Sequence, residues 1–208
     1  DVTDAVIAEA VERGANLIVT HHPVIFHPMK RVTADTLVWK LIRNNLSVIC
    51  AHTNLDVAKG GVNDILAETL GLLEITPLEN EEGLGRIGIL PRGMTPPELA
   101  YYTKQRLDVD AVRYCDGGQA IQKVAVCGGS GGSLLASVAA SGCQAFITGD
   151  VKHDVMLDAV HRGITLIDAG HFGTETLAVG YLAQLAGEVL GEKNVTIAQS
   201  NIPAAVTI

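Results

Sequence analysis

The eleven residues Ala10-Val11-Glu12-Arg13-Gly14-Ala15-Asn16-Leu17-Ile18-Val19-Thr20 return in altered form at Val138-Ala139-Ala140-Ser141-Gly142-Cys143-Gln144-Ala145-Phe146-Ile147-Thr148. Each stretch reads as helix end, glycine, small residue, side-chain amide, apolar strand and threonine, with glycine and threonine at the same offset. Each then leads through a helical pattern to a second apolar run, Leu46 to Ala51 and Ile164 to Ala169. Each run leads to a histidine with a carboxylate four residues on, His52 with Asp56 directly after the first and His171 with Glu175 one glycine after the second. A helix-strand-helix-strand unit cannot bury its own strands alone, so a chain carrying it twice is expected to fold as an α/β protein of two internally duplicated halves. Chance likeness between two apolar α/β stretches is the competing explanation.

Local signals fill in the elements. Thr3 caps a helix whose face carries Val6, Ile7, Ala10 and Val11, and Gly14 closes it. Leu17 to Thr20 and Leu46 to Ala51 read as buried strands, with a helix between them on Leu37, Val38, Leu41 and Ile42 that stops at Asn44-Asn45. The chain opens on a helix with no strand before it, so an upstream strand is expected to be missing. Gly60-Gly61 turns into a helix on Val62, Ile65, Leu66 and Leu70, closed by Gly71. Arg86 to Leu90 reads as a short strand, and Thr95-Pro96-Pro97-Glu98 as a helix start with a capping box. Ala111 to Cys115 and Lys123 to Cys127 read as strands around a turn at Asp116-Gly117-Gly118, and Asp154 to Arg162 as a helix. The divisions that follow are 1–72 as the first half, 73–122 as connecting strands and helix, and 123–208 as the second half, all in one compact unit.

Composition narrows the function classes. An apolar fraction of 48% over 208 residues supports a substantial core, and the low aromatic content of 4% suits strands covered by helices. The net charge of −8, with no Lys/Arg cluster, disfavours nucleic acid as a partner. Cys50, Cys115, Cys127 and Cys143 form no C-x-x-C pair and read as reduced core thiols of a cytoplasmic protein. No apolar run approaches the roughly 18 residues that a membrane span needs.

The polar residues gather where α/β sheets bind ligands, at the carboxyl ends of strands. His21 and His22 follow the first strand, Asp56 follows the second, and His171 and Glu175 follow the last. Three imidazoles and two carboxylates suffice for two divalent ions about 3.5 to 4 Å apart, which would make hydroxide available near neutral pH and hold the attacked group. Mixed nitrogen and oxygen donors suit Zn, Fe, Mn, Co or Ni alike. His52 has no clear place in a five-ligand set and is expected to support Asp56 rather than to ligate. Asp150 and His153 follow another strand end, where a solvated turn and a substrate-binding or proton-transfer role are equally open. His27 and His161 read as surface residues and Trp39 as core. Gly128-Gly129-Ser130-Gly131-Gly132-Ser133 fits a tight turn, with a phosphate cradle as the alternative, although it matches neither the P-loop nor the dinucleotide fingerprint.

Four motifs in this order, T-H-H-P at Thr20 to Pro23, A-H-T-N-L-D at Ala51 to Asp56, T-G-D-V-K-H at Thr148 to His153 and G-H-F-G-T-E at Gly170 to Glu175, resemble the GTP cyclohydrolase I type 2 family, the NIF-three-like proteins. The resemblance spans nearly the whole chain. It implies a dinuclear metal centre on His21, His22, Asp56, His171 and Glu175, shared between two intertwined α/β halves, and a homo-oligomer in the form of a hexameric ring. It also implies water opening the guanine ring of GTP with release of formate, hence a small-molecule substrate, a nucleotide or a small phosphorylated compound. The other function class is a non-catalytic metal-binding or regulatory ring. Family members carry a further N-terminal strand and helix, and longer ones a central insertion for which Ala111 to Lys123 leaves no room.

Overall fold

The computed structural model describes residues 1–191 and 199. The chain forms two compact units, one from Asp1–Leu55 together with the stretch beginning at Ala178, the other from Asp56–Leu177. These boundaries fall at different places from the sequence division at 72 and 122, which follows the repeat.

The first unit opens with α1 (Asp4–Glu12), where Thr3 Oγ1 accepts the Val6 N–H at 3.2 Å, as the capping pattern requires. β1 (Leu17–Thr20), α2 (Leu37–Arg43) and β2 (Ser47–Cys50) follow, and β1 pairs with β2 in parallel from Leu17↔Ser47 to Thr20↔Cys50. Val2, Ile7, Ala10, Leu41 and Leu46 form its core, with Ile18, Leu37 and Val48 against them. The expectation of two buried strands is corrected here. Ile18 and Val48 face the helices, whereas the register partners Val19 and Ile49 are exposed, because side chains alternate across a strand. Val11 is likewise exposed, a step round α1 from the Val6-Ile7-Ala10 stripe. Trp39 is half-buried, with the Arg43 guanidinium 5.2 Å from its ring centroid. α3 (Thr53–Val57) carries the chain into the second unit, and α9 (Leu177–Leu190) carries it back.

In the second unit come α4 (Val62–Thr69), β3 (Leu73–Pro77), β4 (Arg86–Met94), α5 (Pro96–Leu107), β5 (Arg113–Cys115) and β6 (Ile121–Val126). A 3-10 turn at Gly132–Leu134 then leads into α6 (Leu135–Ala140), followed by β7 (Ala145–Thr148), α7 (His153–His161), β8 (Thr165–Asp168) and α8 (His171–Glu175). The strands form one sheet in the order β3-β4-β6-β7-β8-β5. Only β6, β7 and β8 are parallel, so the sheet is mixed, with antiparallel strands toward both edges. Alternate residues of the central strands feed two cores. Val124, Ala145, Ile147 and Ile167 pack with Leu66 of α4, Leu70 just after it and Leu99 of α5, while Ala125, Phe146 and Leu166 pack with Val138 and Ala159 of α6 and α7. Each fully buried Phe, Leu or Ile contributes about 1.5–3 kcal/mol over the exposed state. The sheet that carries the site is thus covered on both faces.

Three differences from the sequence expectations have local causes. β3 escapes pattern reading because Glu74 has φ 52, the register with β4 shifts between Leu73 and Thr76, and the strand ends on a proline. β4 runs on to Met94 through Pro91 and Gly93, past the expected end at Leu90, with a second irregularity between Ile89 and Met94. The turn at 116–118 makes no hairpin, since β5 pairs with β8 at one edge and β6 lies between β4 and β7.

The repeat itself is visible in matched hydrogen bonds. The Ser47 N–H donates to Asn16 O at 2.9 Å and the Thr165 N–H to Gln144 O at 3.0 Å, while Ala51 and Ala169 donate to the carbonyls of Thr20 and Thr148 at 2.9 and 2.8 Å. Each copy is a parallel strand pair followed by a five-residue helix, α3 or α8.

Candidate metal centre

In the first unit, β1 delivers His21 and His22 at its carboxyl end and β2 delivers His52 at its own. The three ring centroids lie 5.0 Å (His21–His22), 5.3 Å (His21–His52) and 5.4 Å (His22–His52) apart, and one ligand atom from each ring lies within 4.8 Å of the others. His21 is buried and its Nδ1 is 2.7 Å from Ala51 O, a contact that requires Nδ1 to carry the proton. His22 Nδ1 is 2.8 Å from Asp1 Oδ1. Both bonds leave Nε2 as the lone-pair nitrogen, and an outer hydrogen bond of this kind orients a metal-ligating imidazole. His52, expected to serve only as a support for Asp56, belongs to this cluster by position.

In the second unit, α8 begins at His171 and ends at Glu175, one turn of helix apart. His171 Nε2 lies 3.0 Å from Glu175 Oε2, and its Nδ1 lies 2.7 Å from Asp150 Oδ2. The hydrogen bond with Glu175 and the charges of Glu175 and Asp150 outweigh the half-buried setting and push the ring up to about 9. Near neutral pH the ring is therefore protonated in the metal-free protein, and a cation bound by Nε2 and Oε2 would take that proton's place. Asp56 lies in α3, and its carboxylate and that of Glu175 both bear on Cys127. Imidazoles with fixed tautomers, together with a histidine flanked by two carboxylates, make a donor chemistry that fits divalent ions of the borderline type.

The glycine-rich stretch has a different task from cradling phosphate. The N–H groups of Gly128, Gly129 and Gly131 donate to Asn63 Oδ1, Thr174 Oγ1 and Thr148 Oγ1 at 2.9, 3.0 and 2.9 Å. With those donors engaged, the loop lies against the ligands instead: a Cβ on Gly129, whose φ is +64, would sit 2.1 Å from Glu175 Oε1 and 3.1 Å from His171 Nε2. Asn63, which pattern reading passed over, is the strut beneath it. Its buried amide donates to Asp56 O at 3.0 Å while accepting from Gly128, tying the Asp56 helix to the loop that borders Glu175. The signal was a polar residue on the apolar face of a helix whose buried residues are Val62, Asn63, Leu66 and Ala67.

The remaining candidates separate. Asp150 meets His171, whereas His153 is exposed at the start of α7 and makes no hydrogen bond or ion pair among the described residues. His27 and His161 are exposed. All four cysteines are free thiols, but only Cys127 and Cys143 are buried; Cys50 is exposed, which corrects its core assignment. Burial pushes the Cys127 thiol up to about 12, with the carboxylates of Asp56, Glu175 and Glu82 adding to it, and pushes Cys143 up to about 11. At pH 8, a chromogenic disulfide reagent is therefore expected to modify Cys50 in the native protein while Cys127 and Cys143 stay protected until denaturant is added, as peptide mass mapping would show.

No helix among the described residues is long and apolar enough to cross a membrane. A profile of the Duf34/NIF3 (NGG1p interacting factor 3) family matches residues 1–204. A Clostridium perfringens protein named GTP cyclohydrolase 1 type 2 homolog is 38% identical over 185 residues, covering 84% of this chain and 71% of its own. A Streptomyces coelicolor protein of the same name is 39% identical over 190 residues, covering 84% and 67%. Among solved structures, a Bacillus cereus protein related to NIF3 superposes with a TM-score of 0.90 at 26% identity, covering 100% of this chain and 87% of its own. Reduced HcgD from Methanocaldococcus jannaschii superposes with a TM-score of 0.76 at 29% identity, covering 88% and 74%.

Proposed function

The chain belongs to the Duf34/NIF3 family, and from that membership we propose that it is a dinuclear metal-dependent hydrolase acting on a nucleotide or a small phosphorylated substrate. The observation that carries the reading is the His21–His22–His52 cluster, whose ligand atoms lie within 4.8 Å of one another and two of whose rings are anchored through Nδ1. The proposal assigns His21 and His22 in the first unit, and Asp56, His171 and Glu175 in the second, as ligands of two divalent ions. His52 stands beside the first pair. Support for joining the two sets is the four-motif resemblance and the step of only four residues from His52 to Asp56.

Divalent ions in such a site acidify water and polarise the attacked bond. The side chains do the rest. Asp150 holds the Nδ1 side of His171, so that Nε2 faces Glu175. His153, exposed and uncommitted, is the residue proposed to move a proton to or from the substrate. The relatives' name makes GTP the first substrate to try, and the resemblance adds a homo-hexameric ring to the proposal.

The test is elemental analysis of protein purified without added metal, with native mass for the assembly, followed by turnover of GTP and a phosphoester panel by wild type and Glu175→Gln. About two ions per chain are expected, and a loss of turnover of at least about 100-fold in Glu175→Gln. Fewer than one ion per two chains in both the purified and the reconstituted protein would remove the ligand assignment. Full metal content with no turnover would favour the non-catalytic ring, and turnover unchanged in Glu175→Gln would remove the mechanism.

A further inference from the structure

We infer that Asp168, together with Arg113, is a positioning residue for the metal ligand His171 and acts through Asp150; the inference rests on the ligand role of His171 proposed above. Asp168 is the last residue of β8, pairs in register with Thr148 at the end of β7, and is 6% exposed. Its carboxylate reaches both loops that leave these strands. Oδ2 accepts from the Val151 N–H at 3.2 Å and from Arg113 Nη2, and Oδ1 accepts from the Gly170 N–H at 3.1 Å. Arg113 Nη2 also donates to Val151 O at 3.1 Å, so both backbone polar groups of Val151 are held.

Next to the pinned residues stand the two side chains that matter. Asp150 precedes Val151 and has φ 50, a left-handed conformation that aspartate enters more readily than most side chains but that still costs more than the right-handed one. His171 follows Gly170. The Asp150–His171 hydrogen bond of 2.7 Å thus joins two loops whose separation is set by one buried carboxylate. Removing that carboxylate releases the Val151 and Gly170 N–H groups together, and the loop around Asp150 is no longer tied to the one around His171. His171 then keeps its place in α8 but loses the partner that orients its ring.

The experiment measures Co(II) binding to Asp168→Asn, Asp150→Asn, the double variant and Arg113→Met by chelator competition. Ligand-field spectra of the loaded proteins and thermal unfolding of the metal-free ones accompany it. Asp168→Asn and Asp150→Asn are each expected to weaken binding about 10- to 100-fold, the range for loss of a group that orients a ligand, and to alter the spectrum in the same way. The double variant is expected to bind no more than about 3-fold worse than the weaker single one, because both act through one imidazole. A merely structural Asp168 would lower the unfolding temperature without this shared spectrum and shared penalty.

Wild-type affinity and spectrum in Asp168→Asn, or penalties that multiply in the double variant, overturn the inference. If Asp168→Asn does not fold, Arg113→Met decides: the Arg113 side chain is 66% exposed, so its loss leaves the core intact, and an unchanged spectrum there overturns the inference equally. His171→Ala separates the two levels. If it binds Co(II) as wild type does, the ligand assignment is lost and the inference with it; if it loses the ion while Asp168→Asn retains it, only the inference is lost.

Discussion

Gly129→Ala is expected to reduce divalent metal affinity by at least about 100-fold, the upper end of what loss of a supporting residue costs. The added methyl would sit 2.1 Å from Glu175 Oε1 and 3.1 Å from His171 Nε2, so one carboxylate oxygen and one imidazole nitrogen must both move. The left-handed backbone adds about 1–2 kcal/mol of strain for alanine, enough for a few degrees in Tm. Gly118→Ala supplies the control, since its φ of +78 imposes the same strain with nothing within 4 Å of the new carbon. Calorimetric titration of both variants with Zn(II) separates the effects. Wild-type affinity in Gly129→Ala would mean that those two atoms are not the donors.

The second large effect is expected at Arg86. This side chain is buried in β4, paired with Asp64, and donates to Gly85 O at 2.9 Å, Val57 O at 3.2 Å and Ala58 O at 3.3 Å. Arg86→Met leaves the Asp64 carboxylate, at 15% exposure, without its cation, and leaves carbonyls without a donor. Breaking one side of a buried pair costs about 3–5 kcal/mol, which for a chain of this size lowers Tm by roughly 6–20 °C. Arg86→Met combined with Asp64→Leu is expected to recover part of the loss, because the orphaned charge goes with it. A fall of less than about 2 °C in Arg86→Met by scanning calorimetry would contradict the account. Metal affinity should fall as well, since Val57 and Ala58 directly follow Asp56.

Pattern reading found what is local and periodic. The Thr3 and Thr95 caps, the closures at Gly14 and Gly71, and the fully buried strands β7 and β8 all stand where their residues predict, since each depends on chemistry within a few positions. β3 was hidden because an edge strand with a left-handed Glu74 has no clean alternation. The order of strands in the sheet was not legible either, as β5 and β6 are close in sequence and far apart in pairing.

At the site, the histidines and carboxylates were legible because few other roles gather such residues at strand ends. Their supports were not. Asn63 and Asp168 act through backbone groups far along the chain, Gly128 at 65 residues and Val151 at 17, and no short motif encodes such partners. The closeness of His52 to His21 and His22 was not legible for a related reason: residue spacing does not tell where β2 ends relative to β1.

Gly149 makes the two copies of the repeat sterically unequal. It stands where the first copy has His21, and a Cβ there would lie 2.5 Å from the Gly170 carbonyl carbon and 2.6 Å from the His171 nitrogen. A histidine at 149 and the present closeness of the two loops are therefore mutually exclusive. That closeness is what allows the Asp150–His171 hydrogen bond of 2.7 Å. The two halves are therefore not interchangeable at this position, and grafting Thr20 to Pro23 onto Thr148 to Val151 would push the two loops apart rather than double the site.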